Sequence, residues 1–232
     1  MLKQRILVVD DDKEIVRLMR GYLEQAGYEV LAAYNGETAL HIIRRERPDL
    51  VLLDLMMPEK DGLEVTRLLR SDPLLAQTPV IMLTARVSDT DKIVGLEMGA
   101  DDYITKPYNP REVLARVRAS LRVRTSLGGG VQSKVLRSGG LELDTGMRRV
   151  RVDGREVSLT ATEFDILQVL LEQGGFVLER GELIRRALGD QFLGVDRTLD
   201  SHIRNLRRKI EPDPQKPRYI QTVYGVGYRL GD

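Results

Sequence analysis

Asp10, Asp11, Asp12, Asp54, Thr84 and Lys106 share one placement: each stands at or just past the end of a short stretch of strand character. Arg5–Val9 leads into Asp10-Asp11-Asp12, Leu50–Leu53 into Asp54, Val80–Leu83 into Thr84, and Asp102–Thr105 into Lys106. If these strands lie side by side and run the same way, the carboxylates meet at one edge. Carboxylates held that close repel one another and raise each other's pKa unless a positive charge sits between them. A hard divalent cation suits that position. Mg²⁺ takes oxygen ligands, keeps several waters and is usually held by one or two carboxylates. The expectation is therefore Mg²⁺ with Asp11 and Asp54 as direct ligands and Asp10 acting partly through water. A carboxylate nucleophile, a metal site, the Thr84 hydroxyl and the Lys106 ammonium together suit a phosphoryl group carried on Asp54. Singly, Asp54 also reads as a helix cap, Thr84 as a turn hydroxyl and Lys106 as a solvated lysine. Their conjunction at four strand ends favours the chemistry.

The elements that must position these residues are legible in the pattern. Apolar runs alternate with helical periodicity: Arg5–Val9, a helix Ile15–Gln25, Glu29–Ala33, a helix Glu37–Arg45, and Leu50–Leu53. The alternation continues with a helix Gly62–Arg70, Val80–Leu83, a helix near Thr90–Met98, Asp102–Thr105 and a helix Arg111–Val123. Five strand–helix units imply a parallel α/β sheet wrapped on both faces. The flavodoxin-like order 2-1-3-4-5 makes strands one and three neighbours, with their carboxyl ends facing across the switch point. Val51-Leu52-Leu53, apolar without alternation, fits a strand covered on both faces. Asn35-Gly36 suits a helix start, and Asn109-Pro110 places an acceptor at N-cap and proline at N1.

Composition removes several function classes. The 232 residues contain no cysteine, so disulfide, thiolate and Cys-based zinc chemistry are excluded, and two histidines, His41 and His202, do not make a His-rich metal site. The opening runs directly into a strand without a signal-peptide core, and no apolar segment approaches membrane-spanning length. A cytoplasmic protein without a membrane partner is expected. Net charge is +1, and basic and acidic residues divide almost evenly between the halves. Any case for nucleic acid must therefore rest on where charges cluster.

Residues 3–123 read as one domain and 136–231 as another, with 124–135 a flexible linker around Gly128-Gly129-Gly130. Such a segment spans about 15 to 20 Å if unstructured. The second domain opens with short β-like pieces at Leu141–Leu143, Arg149–Val152 and Glu156–Leu159. Thr160-Ala161-Thr162-Glu163 is a capping box ahead of an apolar helix, Phe164–Leu171. A shorter helix, Arg180–Arg186, precedes a loop, Gly189–Val195, and a long helix, Arg197–Ile210. A hairpin, Tyr219–Val223 and Tyr228–Leu230, closes the chain. This order of helices and hairpin is that of an α+β winged helix. On a helical wheel Leu199, Ile203, Leu206 and Ile210 form the inward stripe. Opposite lie Arg197, Ser201, Arg204, Asn205 and Arg208, flanked by Thr198, His202 and Arg207. That basic face suits phosphates, and Ser201 and Asn205 are placed to reach base edges of double-stranded DNA.

At this point the motifs resemble a known family. Val8-Val9-Asp10-Asp11-Asp12, Leu53-Asp54-Leu55-Met56-Met57-Pro58-Glu59-Lys60-Asp61-Gly62, Leu83-Thr84-Ala85 and Gly99-Ala100-Asp101-Asp102-Tyr103-Ile104-Thr105-Lys106-Pro107 resemble the receiver domain of two-component response regulators. The resemblance implies that Asp54 accepts phosphoryl from the phosphohistidine of a sensor histidine kinase. It also implies Mg²⁺ held by Asp11, Asp54 and the Met56 carbonyl, phosphoryl oxygens bound by Thr84 and Lys106, and a cis Lys106-Pro107 peptide. Tyr103 matches the aromatic switch that turns inward as the threonine moves.

Thr160-Ala161-Thr162-Glu163-Phe164, the Arg197–Lys209 helix and Thr222-Val223-Tyr224-Gly225-Val226-Gly227-Tyr228-Arg229-Leu230 are similar to the OmpR/PhoB winged-helix effector. In that subfamily phosphorylation drives a homodimer through the fourth helix, fifth strand and fifth helix of the receiver. The residues on that face here are Lys92, Glu97, Asp101, Asp102, Glu112, Arg116 and Arg118, with Lys92–Glu112, Asp102–Arg116 and Glu97–Arg118 as the expected cross-dimer pairs. Where several relatives carry a wing arginine this chain has Tyr224, which leaves it contact with DNA backbone. The Gly189–Val195 loop corresponds to the segment that meets RNA polymerase. The implied function is a phosphorylation-activated transcription regulator of promoter DNA, not an enzyme beyond weak self-dephosphorylation. Two other readings compete. A degenerate receiver would bind DNA without phosphoryl transfer, and the complete Asp10, Asp11, Asp54, Thr84, Lys106 set weighs against it. A phosphatase of the haloacid-dehalogenase type needs an acid two residues after Asp54, where this chain has Met56.

Overall fold

The computed structural model describes residues 3–85, 98–125, 134–189 and 196–231, and side chains at 122–125 and 196–197 are outside that description. Two compact units emerge, Met1–Leu121 and Arg122–Asp232. In the first, β1 (Arg5–Val9), α1 (Lys13–Gln25), β2 (Glu29–Ala33), α2 (Gly36–Glu46), β3 (Leu50–Asp54), α3 (Gly62–Ser71), β4 (Val80–Ala85), β5 (Asp102–Lys106) and α4 (Pro110–Thr125) follow in order. The five strands form one sheet in the order β2-β1-β3-β4-β5, every pair parallel. This is the flavodoxin-like arrangement read from the sequence. The helix placed near Thr90–Met98 falls, apart from Met98, outside the described residues.

Alternation along β3 explains its unbroken apolar run. Val51 and Leu53 enter a core cluster with Leu40, Ile43, Val65 and Leu69 of α2 and α3. Leu50 and Leu52 enter the opposite cluster with Val16, Met19 and Leu23 of α1 and Val113 and Val117 of α4. Each such fully buried side chain contributes on the order of 1.5–3 kcal/mol, so polar replacements within β3 fail on either face. Helix starts are fixed by short acceptors: Asp12 takes the Glu14 N–H at 2.8 Å, Asn35 the Thr38 N–H at 2.8 Å, Asp61 the Glu64 N–H at 2.8 Å and Asn109 the Arg111 N–H at 2.9 Å. Two of these caps, Asp12 and Asp61, flank the carboxyl edge where Asp10 and Asp54 sit.

The second unit carries a four-stranded antiparallel sheet, β6 (Val135–Ser138), β7 (Leu141–Asp144), β8 (Arg149–Val152) and β9 (Arg155–Val157), in sequence order. The first strand begins where the sequence reading ended its linker, because pairing with β7 recruits Val135–Ser138 into the sheet. Next come α5 (Ala161–Glu172), β10 (Leu178–Glu179), α6 (Arg180–Ala187), α7 (Asp196–Ile210), β11 (Ile220–Val223) and β12 (Gly227–Leu230). The Thr160–Glu163 capping box is made reciprocally: the Thr160 N–H donates to the Glu163 carboxylate at 2.8 Å and Thr160 Oγ1 accepts the Glu163 N–H at 3.3 Å. The wing is three-stranded, β10-β12-β11, since the two-residue β10 pairs with β12. This is a winged helix. Among the described residues no helix is long and apolar enough to cross a membrane.

Candidate functional site

Parallel pairing puts the ends of β1, β3, β4 and β5 side by side. Asp54 lies opposite Leu83, one residue short of Thr84, and Lys106 lies opposite Ala85. Ligand oxygens of Asp10, Asp11 and Asp54 all lie within 4.8 Å of one another. Asp10 is 0 % exposed and Asp54 is 4 % exposed, whereas Asp11 faces solvent. Lys106 Nζ reaches Asp10 Oδ2 at 2.8 Å and Asp54 Oδ2 at 3.1 Å, so one ammonium bridges two buried carboxylates. Asp12 turns away to cap α1, and its own N–H donates to Asp10 Oδ1 at 3.0 Å. Of the three consecutive acids, two face the site and the third builds the helix behind it.

Electrostatics follow from this burial. Asp54 titrates above the ordinary aspartate value, first because burial penalises its charge and then because of Asp10, against the pull of Lys106 and a hydrogen bond from the Met56 N–H. For Lys106, burial is the largest influence and acts downward. The Asp10 hydrogen bond and the charges of Asp54 and Asp10 together outweigh it and raise the pKa. The site thus holds an acidic trio against one fixed cation. Oxygen donors, a local excess of negative charge and one solvent-facing member are the donor chemistry that a hydrated Mg²⁺ requires.

Close backbone approach makes the pocket. A Cβ at Gly62 would stand 2.4 Å from the Asp54 carbonyl oxygen, so only glycine lets α3 start against the end of β3. Within the same loop Glu59 holds φ = 68°, a left-handed conformation that costs a non-glycine residue of order 1 kcal/mol or more. The Lys60 ammonium pairs with Glu37, tying this loop to the start of α2. The Lys106-Pro107 peptide is cis.

Thr84 is buried at the same edge, its hydroxyl donating to the Ala85 carbonyl at 3.3 Å. Tyr103 is half-buried and packs against the α2–α3 side of the core. Met56 projects its side chain into solvent. One residue at this edge escaped the sequence reading: Tyr108, whose phenolic oxygen is buried without a hydrogen-bond partner among the described residues. Its place two positions past Lys106 carries no signal of that burial.

The remaining site residues fall into two groups. On β5 and α4, Arg116 Nη1 meets Asp102 Oδ2 at 2.8 Å and Arg116 Nη2 meets Glu112 Oε1 at 3.1 Å, all within one chain. The Asp102–Arg116 pair assigned to a dimer is thus formed internally here, because both groups are recessed and need each other. Burial pushes the Asp102 carboxyl up to about 6 despite the adjacent guanidinium. Asp101 also faces inward, joining Arg70 Nη2 at 2.8 Å and accepting the Val80 N–H at 2.9 Å. Glu112 and Arg118 are exposed, and Lys92 and Glu97 lie outside the described residues.

Along α7 the inward stripe Leu199, Ile203, Leu206 and Ile210 is buried as read. Thr198, Ser201, His202 and Asn205 are buried too, none more than 5 % exposed. The wheel placed Ser201 and Asn205 on an open face, so in this conformation they are covered, and both have interaction partners. Arg207, read as a flanking phosphate clamp, turns instead to the wing. Its Nε and Nη2 donate to the Ile220 carbonyl at 3.0 and 2.6 Å, and Nη2 also donates to Thr222 Oγ1 at 2.9 Å. Arg204 and Arg208 are exposed and Tyr224 is 92 % exposed. The Arg197 side chain, and the loop of 190–195, lie outside the described residues.

Comparison with known proteins agrees with this geometry. The response regulator receiver domain family matches residues 6–118, and the family described as transcriptional regulatory protein, C terminal, matches residues 154–230. The sensory transduction protein RegX3 of Mycobacterium tuberculosis is 42% identical over 225 residues, covering 97% of this chain and 98% of that protein. Its counterpart in Mycolicibacterium smegmatis is 42% identical over 226 residues, with the same coverage of 97% and 98%. Among solved structures, the response regulator DrrB, a Thermotoga maritima OmpR/PhoB homologue, aligns over 100% of both chains with 35% identity and a TM-score of 0.53. A cysteine-to-serine mutant of RitR aligns over 99% of both chains with 26% identity and a TM-score of 0.81. The chain belongs to the two-component response regulators, with a receiver domain followed by an OmpR/PhoB-type DNA-binding domain of transcriptional regulators.

Proposed function

We propose that this response regulator is activated by phosphoryl transfer to Asp54 from the phosphohistidine of a sensor histidine kinase, and that the phosphorylated form binds promoter DNA as a homodimer. The observation that carries the reading is the Lys106 ammonium held at 2.8 Å from Asp10 and 3.1 Å from Asp54 beside the solvent-facing Asp11. An Asp54 carboxylate oxygen attacks phosphorus, a P–O bond forms as the P–N bond to the donor imidazole breaks, and the leaving imidazole takes up a proton. Asp10, Asp11, Asp54 and the Met56 carbonyl are the groups that would hold Mg²⁺. When bound it supplies positive charge to the phosphoryl oxygens. Lys106 adds a second positive charge, and the Thr84 hydroxyl exchanges its Ala85 partner for a phosphoryl oxygen. Tyr103 follows Thr84 inward, in keeping with its half-buried position.

Downstream, the receiver face of Lys92, Glu97, Asp101, Asp102, Glu112, Arg116 and Arg118 pairs two copies. Since Asp102 Oδ2 and Arg116 are already paired internally, dimerisation on this reading exchanges that partner between chains. Arg197, Thr198, Ser201, His202, Arg204, Asn205 and Arg208 contact the duplex, with Tyr224 at its backbone. Arg204, Arg208 and Tyr224 are exposed for it already, whereas Thr198, Ser201, His202 and Asn205 must first be uncovered. The Gly189–Val195 loop meets RNA polymerase, and the protein acts in the cytoplasm. The test is incubation with an acyl phosphate and Mg²⁺. The wild type incorporates one phosphoryl group, and Asp54→Asn incorporates none. Incorporation that survives the substitution, or that needs no divalent cation, overturns the site assignment.

A further inference from the structure

Tyr108 follows Lys106-Pro107, and its ring packs against the apolar cluster of β1, α1 and α4. At the far end of that ring the hydroxyl is buried with no partner among the described residues. A phenol both donates and accepts, so burying it unpartnered forfeits bonds it makes with water in the unfolded chain. A phenylalanine would fill the same ring space without that loss. After burial itself, the charges that act on this phenol are those of Asp10, Asp54 and Asp12, in that order, and all three raise its pKa. Tyr108 also lies two residues past Lys106, whose ammonium reaches both Asp10 and Asp54 at the same edge of the sheet. Nearby, Lys106 is committed to Asp10 and Asp54, and Asp12 Oδ1 to the Glu14 N–H.

A cation held by one or two carboxylates keeps several waters, and each bound water is a strong hydrogen-bond donor that needs an acceptor. Partners of that outer shell set affinity as well as orientation. We propose that the Tyr108 hydroxyl is such a partner: its oxygen accepts a hydrogen bond from a water of the bound divalent cation, and its proton is directed to the acid cluster. This rests on the reading of Asp10, Asp11 and Asp54 as the cation site. No covalent bond changes in it.

Calorimetric titration of the full chain with Mg²⁺ alone, beside the near-ultraviolet tyrosine difference spectrum, tests the proposal in the wild type, Tyr108→Phe, Tyr22→Phe and Asp11→Asn. The wild type is expected to show a tyrosine difference signal that saturates with Mg²⁺. Tyr108→Phe is expected to lose that signal and bind about three- to tenfold more weakly, while its thermal unfolding in the absence of Mg²⁺ occurs no lower than that of the wild type. Tyr22, on the exposed side of α1, reports the ordinary response, so Tyr22→Phe keeps both signal and affinity. A Tyr108→Phe protein with wild-type affinity and an intact signal overturns the proposal while the cation site stands. Equal Mg²⁺ binding by the wild type and Asp11→Asn overturns the cation site and the proposal together.

Discussion

Charged side chains are used in opposite ways in the two halves of this protein. At the receiver's sheet edge Asp10, Asp54 and Lys106 are drawn inward and face one another, one ammonium bridging two carboxylates. In the effector half, buried and half-buried charges are framework. Glu211 accepts the N–H groups of Arg218, Tyr219 and Ile220 at 2.8–3.1 Å, Arg207 ties α7 to the wing, and Lys209 reaches the capping residue Glu163 at 2.6 Å. Arg204 and Arg208 of α7 are exposed. Charge on a helix does not by itself identify a nucleic-acid contact. A long side chain on the flank of a helix reaches a neighbouring strand as readily as a phosphate.

The largest effect that sharpens this contrast belongs to Glu211. Glu211→Gln leaves a buried cradle of three N–H groups facing an amide, and the effector half should lose about 2–3 kcal/mol. Denaturant unfolding measures it, and the receiver should retain its phosphodonor reactivity. An unchanged midpoint breaks the assignment of Glu211 to the framework. Next in size is the pair Arg207 and Arg208. Arg207→Ala should cost the fold about 1–2 kcal/mol through its lost bonds to Ile220 and Thr222. Arg208→Ala should leave stability within about 0.5 kcal/mol and lower the slope of log affinity against log salt on non-specific duplex DNA by about 0.9. If the two substitutions exchange these phenotypes, the division of α7 into framework and contact cations is wrong.

A last effect concerns pH. Asp102 titrates near 3.8 in the unfolded chain and about 6 when folded, so the folded state binds the proton more tightly between those values. Its contribution to receiver stability is complete below pH about 4 and falls away as pH rises to about 6. Asp102→Asn should flatten that part of the stability–pH curve. A curve that keeps its slope there assigns the titration to another group.

How much of this was readable beforehand differs between the halves for the same physical reason. Parallel strands put residues that end separate apolar runs onto a common edge, so Asp10, Asp54, Thr84 and Lys106 could be grouped from the chain alone. Local signals also read directly, as the Thr160–Glu163 box and the Asn109 cap show. Contacts set by tertiary packing did not. Nothing in the spacing of Arg207, Glu211 or Tyr108 announces a partner 13 residues away, a cradle of backbone donors or a buried hydroxyl. Likewise the wheel around α7 sorted apolar from polar positions correctly, but polarity does not say which polar positions are covered, as Ser201 and Asn205 demonstrate. Asp101 read as a surface acid because sequence carries no record of Arg70 folding over it, and the Asp102–Arg116 pair was read across a dimer because sequence does not say that it forms within one chain.

The two-sided burial of β3 constrains how this protein can change over time. Leu50 and Leu52 point one way, Val51 and Leu53 the other, and Asp54 takes the side of Leu52. Exchanges among Val, Ile and Leu cost little at any of these positions, so the strand is free to drift in composition. Loss or gain of a single residue would send both clusters to the wrong layers and turn the acid to the opposite face. The segment preceding Asp54 tolerates substitution but not a change in length.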